Sequence, residues 1–206
     1  LGDGGPVALT GHSMGAYIAL RAAARRPELF DRLLLVDGGL PLPAPEGVDP
    51  DAILDLTLGP AIARLSRTYE SDQAYVDFFR AHPALGPDWS PDIEAYVRYD
   101  LTGPQGARRS KAREDAVRQD GRDLLGSADA FAADLGRLAV PTLLLHSPLG
   151  LLGQEPAMLP APLVEHWARE VPGLQAEFVE GSNHYTILMG SHAKTVAERL
   201  AGVSFP

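Results

Sequence analysis

Five residues near the start of this 206-residue chain, Gly11-His12-Ser13-Met14-Gly15, hold its best candidate for a nucleophile. A serine hydroxyl reacts only when a base takes its proton and the surroundings stabilise the negative charge that follows. The pattern G-x-S-x-G meets both needs when a strand runs in and a helix runs out. The sharp, strained turn lifts the hydroxyl clear of the sheet, and the helix N-terminus favours developing negative charge. The backbone N–H of Met14 is then one oxyanion donor, and Gly11 and Gly15 are expected to leave room where strand and helix crowd together. The partner base is His184, in Glu180-Gly-Ser-Asn-His-Tyr185. It lies beyond the last expected strand, on a loop that can swing over the sheet's C-terminal edge to reach Ser13.

The elements needed to position these residues are legible around them. Leu1 to Pro6 reads as a turn, and Val7 to Thr10 as a short buried strand. Ala16, Ala19, Leu20 and Ala23 recur at helical spacing, and Pro27 stops the helix. Leu33 to Val36 is a second buried strand, closed by Asp37-Gly38-Gly39. Pro-rich residues 40–50 form a loop. Residues 51–135 read as mostly helical, with clustered aromatics and no convincing strand. Thr142 to Leu145, behind Pro141, is a third strand, and Leu163 to Val171 marks a helix. Gln175 to Val179 is a fourth strand, and a last helix runs from an N-capping Ser191 through Leu200 to Gly202. Strands alternating with helices imply an α/β fold with a parallel sheet and right-handed crossovers. The division expected is a core of 1–39 and 136–206 with a helical insertion of 40–135.

Composition narrows the function classes. Eighteen Lys and Arg against 27 Asp and Glu give a net charge of −9. That disfavours nucleic acid and anionic membranes, which need a basic footprint. No apolar run approaches the ~20 residues of a membrane span. Zero Cys rules out disulfides, thiolate metal sites and a Cys nucleophile, and fits a reducing, cytoplasmic compartment. No metal-binding spacing such as HExxH occurs, and the chemistry sketched above needs no cofactor. The partner expected is a small-molecule substrate. Of the other histidines, His12 is expected to point aside, and His82, His146, His166 and His192 to serve structural ends. The cluster Arg108 to Arg113 reads as a solvated face, and the insertion's aromatics chiefly as its own core.

Four features, Gly11 to Gly15, Leu33 to Gly39, Val140 to His146 and Gly181 to Tyr185, resemble in content and order the α/β-hydrolase superfamily, from the nucleophile elbow onward. The resemblance implies a partial α/β-hydrolase fold of about four strands with a helical cap over the site. It implies a Ser-His-acid triad with Ser13 as nucleophile and His184 as base. Relatives usually carry the acid shortly after the strand that follows the cap, and the aligned position here is Gly150. Two replacements are open. Asp37 ends a rigid strand, at a place used by a minority of the superfamily, and is favoured over Glu155, which needs a loop excursion. The resemblance also places a second oxyanion donor, and a neighbour for the elbow strand, in an upstream segment, and so leaves the elbow strand as an exposed edge. Three readings therefore stand: a hydrolase of small, fairly apolar esters or related acyl compounds; a degenerate, non-catalytic relative; and a half that works with a separate N-terminal chain or as a homo-oligomer.

Overall fold

The computed structural model describes residues 4–43, 45 and 47–202. The first half of the expected turn over residues 1–6 lies outside them. Contacts divide the chain into two units, Leu1–Pro41 with Asp129–Pro206, and Leu42–Ala128.

In the first unit, strand β1 (Val7–His12) runs into helix α1 (Met14–Arg25), which turns back to strand β2 (Phe30–Val36). The helix buries Ala16, Tyr17, Ala19, Leu20 and Ala23 along one stripe and ends before Pro27. In the second unit come helices α2 (Pro50–Ala63), α3 (Asp72–Arg80) and α4 (Pro91–Tyr99), the short strands β3 (Leu101–Thr102) and β4 (Arg109–Ser110), and helix α5 (Glu114–Leu125). Helix α6 (Ala128–Gly136) returns the chain to the first unit. There β5 (Thr142–His146), α7 (Ala161–Glu170), β6 (Leu174–Phe178) and α8 (Gly190–Leu200) complete it.

The main sheet has the order β1-β2-β5-β6, and every pair is parallel. Strand β2 is paired on both sides, so Leu33 to Val36 are buried outright. Side chains alternate between the two faces. On one face Leu34, Val36, Leu143 and Leu145 form a core with Val179 and Ile187, covered by Val196 and Leu200 of α8. On the other, Leu35 and Ala16 of α1 both stand within 3.5 Å of where a Cβ on Gly39 would be. Both faces are thus roofed by helices, as a parallel sheet requires.

Several details depart from the sequence reading. Strand β1 is not buried, and Val7 is 46% exposed; among the described residues β1 pairs with β2 alone, at the edge position the resemblance implied. Helix α8 begins at Gly190 behind Met189, without a side-chain cap, so Ser191 is inside it. Most of α6 belongs to the core: Phe131 meets the Tyr17 ring edge-on at 5.1 Å, and Asp134 accepts from Arg21 at 3.0 Å.

The second unit is mostly helical, but β3 and β4 pair antiparallel where no strand was expected. Asp49, Ser71 and Ser90 cap its helices, and Pro50 and Pro91 open α2 and α4. Tyr69, Tyr75, Phe78 and Phe79 meet edge-on in its core, while Tyr99 is 78% exposed. Asp100 is a polar node: it accepts from Tyr75, Ser110 and Arg64. No helix among the described residues is long and apolar enough to cross a membrane.

Candidate active site

The elbow is a matter of close approach. A Cβ on Gly11 would stand 2.1 Å from the Gly15 carbonyl oxygen, so the strand enters the turn only as glycine. Gly15 differs from expectation, because nothing lies within 4 Å of where its Cβ would be. Between them Ser13 takes φ 53° and ψ −123°, a conformation that non-glycine residues rarely adopt. Its N–H donates to the Val36 carbonyl at 2.9 Å, and its own carbonyl accepts from Ala16 N–H, at 2.9 Å. The turn is therefore tied to the neighbouring strand on one side and the helix on the other. Met14 opens α1, so its N–H is among those that helix geometry leaves without an intrahelical acceptor.

Asp37 follows the last residue of β2 and is also at positive φ, 46°. Its N–H donates to the Leu145 carbonyl at 2.8 Å, which fixes it to β5. His184 follows β6 on a loop stitched by Asn183, whose side-chain oxygen accepts from the N–H groups of Tyr185 and Thr186. The His184 N–H donates to the Leu149 carbonyl at 3.1 Å.

These three segments bring Ser13, His184 and Asp37 into one hydrogen-bonded run. His184 Nε2 is 3.0 Å from Ser13 Oγ, and His184 Nδ1 is 2.7 Å from Asp37 Oδ2. Burial would raise the Asp37 pKa. The hydrogen bond and charge of His184, with the two donors of Ser147, outweigh it and hold the carboxyl below its ordinary value. An ionised Asp37 only accepts, so His184 carries its hydrogen on Nδ1 and presents the Nε2 lone pair to the Ser13 hydroxyl. Both His184 and Asp37 are almost wholly buried.

Ser147, fully buried just past β5, was not read as a site residue. Its N–H donates to Asp37 Oδ1 at 3.1 Å, and its hydroxyl lies 2.8 Å from Asp37 Oδ2 and 3.0 Å from the Leu149 carbonyl. It lies between β5 and Gly150, where the resemblance put the acid, and bonds the Asp37 carboxylate. At Gly150 a Cβ would stand 2.5 Å from the Pro156 carbonyl, so no carboxylate fits there as the loop stands. Glu155 is exposed, and it is Asp37 that meets His184.

His12 does not point aside. Its Nε2 is 2.8 Å from the His184 carbonyl oxygen, and the two rings are 4.6 Å apart. Burial, then the charge of His184, push its pKa down to about 4, against the opposing effects of that hydrogen bond and Asp37. His146 is also buried, edge-on to Phe178, and burial lowers its pKa. His192 bonds the Thr186 carbonyl. Among the described residues no group of three His, Cys, Asp or Glu could hold a metal ion.

Comparison with known proteins bears on the family and the fold. The family model described as the alpha/beta hydrolase family matches residues 1–199, and the chain belongs to that family. No curated protein matches it in sequence. Among solved structures it is similar to E-2-(acetamidomethylene)succinate hydrolase, with 21% identity, a TM-score of 0.73, and coverage of 96% of this chain and 67% of that one. It is similar to the thioesterase domain from the curacin biosynthetic pathway, with 23% identity, a TM-score of 0.68, and coverage of 98% and 68%. It is also similar to the peroxisomal alpha/beta-hydrolase Lpx1 of Saccharomyces cerevisiae, with 15% identity, a TM-score of 0.67, and coverage of 95% and 51%. At these identities the likeness is one of fold. The chain spans about two thirds of the first two and half of the third.

Proposed function

We propose that the chain is a serine hydrolase of small, fairly apolar esters or related acyl compounds, working through an acyl-enzyme. The observation that carries this reading is the run Ser13 Oγ, His184 Nε2, His184 Nδ1, Asp37 Oδ2, at 3.0 and 2.7 Å. Ser13 attacks the carbonyl carbon while His184 Nε2 takes its proton. Negative charge collects on the former carbonyl oxygen, where the Met14 N–H donates. The imidazolium, steadied by ionised Asp37, returns the proton to the leaving group as the tetrahedral centre collapses to the Ser13 ester. Water, deprotonated by His184, attacks that ester, and the acid and free Ser13 result. Every proton lost by a nucleophile is regained by a leaving group, so the cycle needs no metal or redox partner.

The test is hydrolysis of p-nitrophenyl acetate and butyrate by wild type and Ser13→Ala in parallel. The reading expects turnover by wild type and its loss in the variant. Equal background rates in folded protein would contradict it for these esters and favour a non-catalytic relative.

A further inference from the structure

His12 is the member of the elbow that the chemistry above leaves unused. It ends β1, in register with Val36, and the next residue is the nucleophile. Its ring reaches the loop that carries the base, with Nε2 2.8 Å from the His184 carbonyl oxygen and the ring tilted 36° to that of His184. A carbonyl oxygen only accepts, so His12 carries hydrogen on Nε2 and donates it. His184 is thereby held at both of its own backbone polar groups: its N–H by the Leu149 carbonyl, its carbonyl by His12.

The consequence is geometric. A general base must hold its place to within about 0.5 Å to act at full rate. The Asn183 turn and the bridge from Asn183 to Leu149 hold the loop to itself and to the segment after β5. The bond from His12 ties that loop to the strand that delivers Ser13, so base and nucleophile share one support. Charge points the same way. A cation one ring away from His184 would oppose the imidazolium formed when Ser13 gives up its proton. Burial keeps His12 neutral near neutral pH, so it donates without adding charge.

We propose that His12 is a positioning residue, a neutral Nε2–H donor that anchors the His184 carbonyl and so holds the base against Ser13. This rests on Ser13, His184 and Asp37 forming a working triad.

The test compares wild type, His12→Phe and His12→Gln in their rate of labelling by a fluorophosphonate probe, with nitrogen-15 spectra of the wild-type histidine rings alongside. Phenylalanine keeps a ring and loses the donor; glutamine keeps an N–H near the place of Nε2. The expected result is labelling slowed about ten-fold or more in His12→Phe and largely recovered in His12→Gln. The His12 ring should be the neutral Nε2–H form near neutral pH. Labelling of His12→Phe at the wild-type rate would overturn the proposal, as would equal slowing of both variants in folded protein. A His12 ring protonated on Nδ1 near neutral pH would also overturn it, and that reading needs no variant to fold. Wild type left unlabelled while its His12 ring is in the Nε2–H form would strike down the triad itself, and with it any catalytic role for His12.

Discussion

Asp37 meets His184 on one side and Ser147 on the other, and all three are buried. Asparagine in its place cannot fix the His184 tautomer or balance the imidazolium. Asp37→Asn should therefore cut the rate of p-nitrophenyl ester hydrolysis by on the order of 10³–10⁴. Glu155→Gln should leave that rate within two-fold (roughly the scatter of a neutral surface change). Activity that falls with Glu155 and survives in Asp37→Asn would reverse the assignment. His12 carries a second residue-scale prediction. Its pKa is about 4 in the fold against 6.5 ordinarily, so the unfolded chain gains a proton first as pH falls. Its contribution is whole above pH 6.5 and lost between 6.5 and about 4, amounting to at most about 3 kcal/mol. Urea unfolding at both ends of that window should show a smaller loss in His12→Gln than in wild type. Ser13 and His184 were legible in the sequence because each sits in a short local pattern beside a strand. Asp37 and Glu155 stayed open because the fold alone decides which carboxylate meets a histidine 147 positions away. Ser147 escaped notice, and His12 was expected to point aside, because their contacts span 110 and 172 positions and neither residue type announces a contact of that kind.

At the scale of elements, the elbow's two glycines carry different burdens. Alanine at Gly11 drives a Cβ into the Gly15 carbonyl, backbone that cannot step aside. Gly11→Ala should lose about 3 kcal/mol or more, seen as a large drop in Tm. Alanine at Gly15 enters open space in the first turn of α1, and should hold or gain about 0.5–1 kcal/mol. Similar losses in both variants would contradict this reading of the turn. Strands β2 and β5 were legible as Leu-rich runs, and β1 and β6 as short segments set off by Gly and Pro signals. The pair β3 and β4 was not, since two residues per strand show no alternation. Helix α6 was assigned to the insertion by its helical pattern; its ties to the core through Tyr17 and Arg21 are tertiary.

For the whole molecule, the sheet's uneven edges matter most. Strand β1 has one paired side, with Val7 exposed at its start, and an open apolar edge is a template for a second chain. The 206-residue chain should therefore aggregate with concentration, and Val7→Lys should slow the rise in light scattering; an unchanged rise would place the sticky surface elsewhere. The α/β class followed from the alternation of strands and helices, and the elbow strand's place at the sheet's edge from the family resemblance. The extent of β1's exposure did not, because an apolar run looks the same at an edge as at the centre. The central claim is that this chain, as it stands, activates Ser13. Intact-mass analysis after fluorophosphonate treatment, on wild type and Ser13→Ala, tests it most directly. The account predicts one adduct on wild type, mapped to Ser13, and none on the variant. An unmodified wild type, or an adduct that persists in Ser13→Ala, would contradict it.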